Sequence, residues 1–361
     1  MSVIKIDIRM LHASGIGTYL VNLIPRIIKA YPSVSFYLVG KKDEIRNYDW
    51  AKNNNVTVKN CHIPIYSISE QFILAKRKPA NTDLLWVPHY NIPLFHFGKL
   101  LVTVHDVFHL AMPEYRKGII KHVYAKMLFN AVKIKADKII CNSQFTANEL
   151  VRLAGINADK IIVIHNGVSR EWFEINKEKR PHNKPYLLYV GNVKPHKNLV
   201  RLLEAFKLLT NKIPHDLIIV GKKEGFITGD TIIDKKATSL KQRVHFTGYV
   251  DNKLLHQYYV YAETLVFPSL YEGFGLPPIE AMACSCPVIV SNSASLPEVC
   301  GDAAVYCDPY SVEDLAHKIE MLLAEKGLQE VMRLKGIERA KRFSWDKAAK
   351  KTCEVIEDLL N

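Results

Sequence analysis

Short apolar runs alternate with helical patterns along the first half of the chain. Runs such as VIKIDIRM, SFYLVG, LLVTVHD and KIIVIHNG have the length and the β-branched content of strands, and several are continuously apolar. Continuous apolar runs are typical of strands that are buried on both faces of a parallel sheet. Between them, YLVNLIPRIIKAY and GIIKHVYAKMLFNAVKIKA place apolar residues at helical spacing. The pattern predicts an α/β domain over residues 1–173.

The alternation stops at residues 174–185 and then begins again. That segment, EINKEKRPHNKP, is charged and contains two prolines, which predicts a linker. Beyond it, YLLYVGN, DLIIVG, VHFTGYV, TLVFPS and PVIVSN predict a second parallel sheet with helices on both faces, over residues 186–340. Two such domains would face a central cleft, and ligands of open α/β sheets bind at the carboxyl ends of the strands.

The size and composition agree with this division. The chain has 361 residues, enough for about two domains at roughly 150 residues each, and it is 48% hydrophobic and 24% charged. No apolar run approaches the roughly 20 residues of a membrane span, and the N-terminus lacks the features of a signal peptide. We therefore expect a cytoplasmic protein. Its seven scattered cysteines, without a C-x-x-C pair, predict reduced, buried thiols.

The net charge of +13 is concentrated in the first half. Residues 1–180 contain 26 Lys and Arg against 14 Asp and Glu, which leaves +12, whereas residues 181–361 contain 23 against 22. This asymmetry predicts an anionic partner: nucleic acid, an anionic membrane or a phosphorylated substrate. The stretch 117–138 is a basic amphipathic helix pattern, typical either of a helix that rests on a membrane or of one that packs on a sheet. Its cationic residues are Lys117, Lys121, His122, Lys126, Lys133, Lys135 and Lys138.

The segment after TLVFPS combines several features of an anion-binding turn. Glycines at 273 and 275 let backbone approach a ligand, and Pro277 favours the start of a helix, whose N–H groups attract anions. Glu272 lies in the turn and Glu280 about one turn into the helix, and carboxylates accept hydrogen bonds from sugar hydroxyls. Taken alone, these features would equally fit a tight turn with two solvated glutamates.

Two other positions follow predicted strands. Lys197 lies between YLLYVG and the helix LVRLLEAF, and His105 ends the strand LLVTV beside Asp106. Both would therefore lie at carboxyl ends of strands. His105 and His109 have the spacing of a helical zinc motif, but because a strand precedes them we expect no metal there.

The segment from Glu272 to Glu280 resembles the E-x7-E signature of family-4 glycosyltransferases, retaining enzymes of the GT-B fold. The likeness covers nearly the whole chain and is strongest in the second half. It extends through CPVIVSN (286–292), SLPEV (295–299) and GDAA (301–304), and back to GNVKPHKN (191–198), FTGYV (246–250), HNGV (165–168), SGIG (14–17) and HD (105–106).

The resemblance implies roles for the matching residues. Glu272 would bind hydroxyls of the donor sugar, Glu280 the ribose, and Lys197 the diphosphate leaving group, while His105 would lie at the reacting carbon. The other donor-binding positions would be Gly15, Gly17, Asn192, Tyr249, Val250, Gly273, Phe274, Gly275 and Leu276. Asn192 stands where the family often has arginine, so the diphosphate would depend more on Lys197. The resemblance also implies that helix 341–361 returns to the first domain.

The predicted function is retaining transfer of a hexose from a nucleotide sugar onto a glycan or a lipid-linked saccharide. The first-half pattern, with His105-Asp106 and then Pro113-Glu114, looks most like bacterial mannosyl- and rhamnosyltransferases of surface-polysaccharide assembly, which favours GDP-mannose. We expect no cofactor, no metal and no nucleic acid, and a cytoplasmic enzyme, peripheral at the inner face of the cell membrane. The alternatives are a UDP-glucose or dTDP-rhamnose transferase, an epimerase of the same fold, and a basic protein that binds anions or nucleic acid.

Overall fold

The computed structural model describes residues 2–65, 67, 70–71, 82–115, 119–221 and 231–361. Lys117 and the side chains of Lys121 and His122, named above, lie outside the described residues. The chain divides into two compact units: unit 1 is Met1–Gly167 with Trp345–Asn361, and unit 2 is Val168–Ser344. Residues 174–185, which we expected as a linker, are irregular backbone and lie within unit 2 by this division.

Unit 1 contains a sheet of seven parallel strands in the order β3-β2-β1-β4-β5-β6-β7. The strands are β1 Val3–Asp7, β2 Ser35–Gly40, β3 Val56–Asn60, β4 Leu84–Val87, β5 Lys99–Val104, β6 Lys138–Cys141 and β7 Ile161–Val163. The order reverses between β1 and β4, so the loops that follow these two strands diverge to opposite faces and leave a crevice. β4 and nearly all of β5 are buried, as the continuous apolar runs predicted.

Helices connect these strands. They are α1 Ser14–Ala30, α2 Lys42–Ile45, α3 Phe108–Ala111, α4 Ile119–Lys135 and α5 Gln144–Ala154. Their ends follow local chemistry: the Ser143 hydroxyl accepts a hydrogen bond from the Thr146 amide at the start of α5, and Gly155 ends that helix at a φ of 61°.

Unit 2 contains six parallel strands in the order β10-β9-β8-β11-β12-β13. They are β8 Tyr186–Val190, β9 Asp216–Val220, β10 Val244–Gly248, β11 Thr264–Phe267, β12 Val288–Ser291 and β13 Val305–Cys307. Successive residues alternate between two apolar cores: Leu188 and Phe267 belong to one and Leu187 and Val266 to the other. The sheet is therefore covered on both faces, and its order reverses between β8 and β11.

The helices of unit 2 are α6 Leu199–Leu209, α7 Thr231–Ser239, α8 Asn252–Tyr261, α9 Leu276–Ala283, α10 Leu296–Cys300, α11 Val312–Ala324 and α12 Lys326–Ala340. The last helix, α13 Trp345–Leu360, belongs to unit 1 and packs on α1. Arg26 forms an ion pair of 2.7 Å with Asp346, and the Tyr31 hydroxyl donates to the Cys353 carbonyl at 2.9 Å.

These observations confirm the predicted fold class of two Rossmann-like, doubly wound parallel-sheet domains. All seven cysteines are buried free thiols, also as expected. Among the residues that the structure describes, no helix combines the length and the apolar character needed to cross a membrane.

Candidate functional site

Two loops of unit 2 bring a cation and a carboxylate together at the reversal of strand order. Lys197 lies in a short 3₁₀ turn, Pro195–Lys197, after β8, and Glu272 lies in the loop after β11. Lys197 Nζ is 2.5 Å from Glu272 Oε1, and both side chains are largely buried. β8 and β11 are neighbours at the reversal, which is where open α/β sheets bind ligands. The structure thus places these two predicted residues in one site.

Asn198 fastens the loop that carries Lys197. Its backbone is left-handed, with a φ of 61°, and its side chain is buried. The amide nitrogen Nδ2 donates to the carbonyls of Pro268, at 2.9 Å, and Pro309, at 2.7 Å. The Leu270 amide also donates to the His196 carbonyl at 2.8 Å. The loops after β8 and β11 are therefore tied to each other, a role of Asn198 that was not predicted from the sequence.

The turn from Glu272 to Gly275 is fixed by Ser295 and by close packing. The buried Ser295 hydroxyl lies 2.9 Å from the Glu272 carbonyl and 3.0 Å from the Phe274 carbonyl, so it donates to this pair. Gly275 precedes α9 at a φ of 96°, and a Cβ there would lie 2.7 Å from Leu296 Cδ2. Only glycine fits this position without strain. Leu276 begins α9, one residue before the predicted start at Pro277.

Glu280 projects from α9 as a partly buried carboxyl group. Burial raises its pKa to about 7, although the Tyr259 hydroxyl donates to Oε2 at 3.2 Å, which favours the charged form. The second predicted carboxylate is therefore poised between its two protonation states near neutral pH. Its ionised form can accept hydrogen bonds from ligand hydroxyls.

The remaining predicted positions of unit 2 follow β8 and β10. Asn192 follows Gly191, whose amide donates to the Val220 carbonyl at 2.9 Å. Gly221 donates to the Gly248 carbonyl at 3.0 Å, so the ends of β8, β9 and β10 are linked in turn. Tyr249 is 74% exposed, and Val250 is partly buried. Asn192, Lys197, Glu272, Tyr249 and Val250 thus share the carboxyl edge of one sheet.

Unit 1 holds the other three predicted positions. His105 follows β5, with Nε2 3.1 Å from the Pro88 carbonyl, to which it donates, and with its ring 4.8 Å from that of Tyr19. Burial lowers the pKa of His105 to about 4, against the opposing charge of Asp106, so the imidazole is neutral at pH 7. Because Nε2 carries the proton, Nδ1 is unprotonated.

Gly15 and Gly17 lie in the first turn of α1. Gly15 is exposed, whereas Gly17 is buried. A Cβ at Gly17 would lie 2.5 Å from the Leu11 carbonyl oxygen, so the close approach of the chain explains this glycine without a ligand.

An ionic cluster at the reversal of the first sheet has no counterpart among the predicted residues. Arg9, just after β1, pairs with Asp7 at 2.6 Å and with Glu70 at 2.9 Å, and Asn91, after β4, donates to Glu70. The side chains of the three charged residues are almost completely buried. The available signal was the pair of charges at the end of the apolar run VIKIDIRM.

Two family models match consecutive parts of the chain. Residues 13–172 match the model described as Glycosyltransferase Family 4, and residues 170–341 match that of Glycosyl transferases group 1. O-antigen chain mannosyltransferase B of Escherichia coli is 30% identical over 281 residues, which cover 75% of this chain and 73% of that protein. The serotype-specific mannosyltransferase WbdA of Escherichia coli is 28% identical over 76% of this chain, but this match spans only 35% of that longer protein.

Solved structures show the same fold along the chain. Sucrose-phosphate synthase from Thermosynechococcus elongatus matches with a TM-score of 0.81 and 20% identity, over 99% of both chains. Anabaena HepE, solved in complex with UDP-glucose, matches with a TM-score of 0.79 and 16% identity, over 99% of this chain and 100% of that one. With these folds and the matched relatives, the chain belongs to the family-4 glycosyltransferases of the GT-B fold, and it is an enzyme of the hexosyltransferase class.

Proposed function

We propose that this enzyme transfers mannose from GDP-mannose, with retention, onto a glycan or lipid-linked saccharide in the synthesis of a cell-surface polysaccharide. The ion pair between Lys197 and Glu272 at the reversal of the second sheet carries the proposal, because it supplies both charges that the reaction needs. The names of two relatives, both mannosyltransferases and one of them an O-antigen chain enzyme, favour mannose.

The chemistry assigns the two partners of the ion pair to opposite sides of the breaking bond. Cleavage of a glycosyl–phosphate bond develops positive charge on the sugar carbon and negative charge on the diphosphate. Lys197 would exchange Glu272 for the diphosphate, and Glu272 would then accept hydrogen bonds from sugar hydroxyls. The N–H groups at the start of α9 would favour the same developing negative charge. A single cation and a helix N-terminus can serve as the electrophilic side of this site without a metal.

Retention follows from attack on the face that the leaving group vacates. The acceptor hydroxyl forms its bond to the sugar carbon while the carbon–diphosphate bond breaks, and the departing phosphate oxygen takes the hydroxyl proton. Glu272 positions the sugar in this scheme and forms no covalent bond. His105, neutral at pH 7, can accept a hydrogen bond at Nδ1 from a sugar hydroxyl. Glu280 would hold the ribose.

The donor is tested by thermal shift with GDP, UDP and dTDP and their sugars, because a ligand of the native state raises its stability. We expect the largest shift with GDP-mannose. Lys197→Ala and Glu272→Ala should each lower kcat/KM by about 100-fold, as loss of a preorganised charge does. Lys207→Ala, at an exposed position on α6, is the matched control and should leave transfer unchanged.

Several outcomes would contradict parts of this proposal. Near-normal turnover in both variants would rule out the site. Stabilisation by UDP or dTDP sugars alone would show that the donor is not GDP-mannose. An inverted anomeric configuration in the product would exclude retention. Release of an epimerised sugar without acceptor would identify an epimerase, and salt-sensitive RNA binding without nucleotide binding would identify a nucleic-acid-binding protein.

The same proposal places the enzyme at an anionic membrane surface through α4. This helix buries Ala125, Leu128 and Val132, yet Val123 and Ile134 on the other side are 59% and 69% exposed. A helix that only packed on its sheet would have a polar outer face. The exposed stripe consists of Val123, Met127 and Ile134 and is flanked by Lys126 and Lys133.

An aromatic loop extends this apolar stripe. Phe97 is 76% exposed, and Lys135 Nζ, at the end of α4, lies 4.9 Å from the centre of its ring. Phe95 is also exposed. Exposed aromatic and aliphatic side chains among lysines match the two components of an anionic bilayer surface, the acyl boundary and the lipid phosphates.

Vesicle co-sedimentation tests the membrane contact. We expect the enzyme to bind vesicles rich in phosphatidylglycerol and not pure phosphatidylcholine, and Met127→Glu with Ile134→Glu to abolish binding. Leu334→Glu, at an equally exposed apolar position on α12, is the control. Equal vesicle binding by both variants would contradict the assignment of this surface.

A further inference from the structure

Three metal-ligating side chains converge at the amino end of the sheet in unit 2. Asp216, the first residue of β9, accepts hydrogen bonds at Oδ2 from His182 Nε2 at 2.8 Å and from His245 Nε2 at 3.2 Å. His182 comes from the irregular segment 174–185 and His245 from β10. One ligand atom from each residue lies within 4.8 Å of the others, and no other such group of three occurs among the described residues.

The spacing of these atoms fits a small tetrahedral cation. Zinc binds imidazole nitrogen and carboxylate oxygen at about 2.0–2.2 Å, which puts neighbouring ligand atoms roughly 3.4 Å apart. The two nitrogen–oxygen distances to Asp216, 2.8 and 3.2 Å, are close to that edge. The three ligand atoms lie within 4.8 Å of one another, so the two imidazoles would have to move towards each other to admit the ion. Without metal, each Nε2–H donates a hydrogen bond to the carboxylate. With metal, the ring proton would lie on Nδ1 and the ion would occupy the centre.

The charges around Asp216 favour one of its oxygens for this role. Arg243 Nε donates to Oδ1 at 3.2 Å, and its other nitrogens donate to backbone carbonyls, including those of Thr210 and Ile213. The guanidinium therefore orients the carboxylate and leaves Oδ2 facing the imidazoles, as a partner outside the coordination shell does. Lys184 is 3.8 Å from Oδ1 but 59% exposed, so it can turn towards solvent.

We propose that His182, Asp216 and His245 bind one transition-metal dication of the Zn²⁺ type, with water as the fourth ligand. Two imidazoles and one carboxylate are a ligand set that zinc takes in proteins. The ion would fasten segment 174–185 to β9 and β10. The site lies at the amino end of the sheet, whereas Lys197 and Glu272 lie at the carboxyl end, so it is independent of the proposed donor site.

Metal binding is tested on the full-length enzyme, without an affinity tag, with Co²⁺ and Zn²⁺ as probes. We expect one equivalent of Co²⁺ to give the visible absorption of a tetrahedral site and Zn²⁺ to displace it. His182→Ala and His245→Ala should each weaken Zn²⁺ binding at least about 10-fold, since even outer-shell losses cost 10–100-fold. Both variants keep Asp216 paired with Arg243, so we expect them to fold.

The control variant is His317→Ala, at an exposed position on α11. It should keep both the Co²⁺ spectrum and the rise in melting temperature that Zn²⁺ causes in the unmodified enzyme. Absence of stoichiometric binding at micromolar Zn²⁺ would overturn the proposal. So would binding that both cluster variants retain, because the ion would then lie elsewhere.

Discussion

In the proposed site, Glu280 would favour ligand binding at the expense of stability. Its carboxyl group has a pKa of about 7 in the folded protein against an ordinary value of 4.5, because burial disfavours the charge. A raised carboxyl pKa contributes stability below pH 4.5 and loses it as the pH rises through 7. At pH 8 the folded enzyme therefore carries a buried charge that only one described hydroxyl, that of Tyr259, partly compensates.

Replacement of this carboxyl should separate stability from binding. We expect Glu280→Gln to raise the free energy of unfolding at pH 8 by about 1–2 kcal/mol, because the charge is removed from an enclosed position. The same variant should raise the KM for the nucleotide sugar about 10-fold, since an ionised acceptor of ribose hydroxyls is lost. Urea unfolding and steady-state kinetics measure the two effects, and a destabilised variant would contradict the assigned burial.

The pH dependence of donor binding tests the same group. Because only ionised Glu280 accepts two hydroxyls well, the KM for the donor should rise as the pH falls from 8 to 6, while kcat changes less. Glu280→Gln should flatten this profile. If the KM of the variant still changed between pH 6 and 7, the titration would belong to another group. That group would not be His105, since its pKa of about 4 keeps it neutral over this range.

Ser295 holds the turn from Glu272 to Gly275, a role that could not be predicted from the sequence. We expect Ser295→Ala to destabilise the enzyme by about 1–2 kcal/mol, because two backbone carbonyls lose their buried donor. It should also lower kcat/KM about 10-fold, as Glu272 is then less well held. Ser293→Ala, in the same loop, is the control. A loss of stability without loss of activity would restrict Ser295 to a structural role.

Residues such as Ser295 and Asn198 could not be assigned from sequence for a physical reason. Their partners are backbone carbonyls of distant loops, and backbone carbonyls carry no side-chain signal. Lys197 and Glu272 could be placed, because each lies in the loop after an apolar strand and carboxyl ends share one edge of a parallel sheet. Their direct pairing, however, depended on the adjacency of β8 and β11, which spacing alone does not give.

At the scale of elements, the start of α9 depends on glycine geometry. We expect Gly275→Ala to destabilise the enzyme by about 1–3 kcal/mol, since φ is 96° and the new methyl would meet Leu296. Donor affinity should fall with it, because the first turn of α9 shifts. Gly327→Ala in α12 is the control: it meets nothing within 4 Å and should stabilise by about 0.5–1 kcal/mol. Equal effects of the two changes would contradict the strain at Gly275.

Apolar periodicity predicted most helices and strands but missed the start of α1. The strands were recognised because burial on both faces requires continuous apolar runs. The helical pattern was recognised from YLVNLIPRIIKAY, but α1 begins earlier, at Ser14, and includes two glycines, which disfavour a helix. Tertiary contact explains the difference, since Gly17 packs against the Leu11 carbonyl. The three proposed metal ligands lie on segments too far apart for any spacing rule.

At the scale of the molecule, the chain builds two doubly wound sheets and returns to the first through α13. Sequence could predict two α/β domains, because the apolar alternation is interrupted and restarts. It could not supply the strand orders, since parallel strands of similar composition can be arranged in many ways. The return of α13 could be anticipated only through the family resemblance. Its own sequence, RFSWDKAAKKTCEVIEDLL, predicts an amphipathic helix and says nothing of its partner.

The last helix offers a test of how stability is divided between the units. Ile356 lies on α13, which belongs to unit 1, and its side chain is fully buried. We expect Ile356→Ala to lower the free energy of unfolding of unit 1 by about 2–5 kcal/mol, since it removes a core side chain and leaves a cavity. Lys197, Glu272 and Glu280, the proposed contacts of the diphosphate, sugar and ribose, belong to unit 2. Below the melting temperature, the affinity for the nucleoside diphosphate measured by calorimetry should therefore not change. Leu334→Ala, at an exposed position on α12, is the control and should change neither the free energy of unfolding nor the nucleotide affinity. A parallel loss of nucleotide affinity in Ile356→Ala would show that the two units do not respond separately.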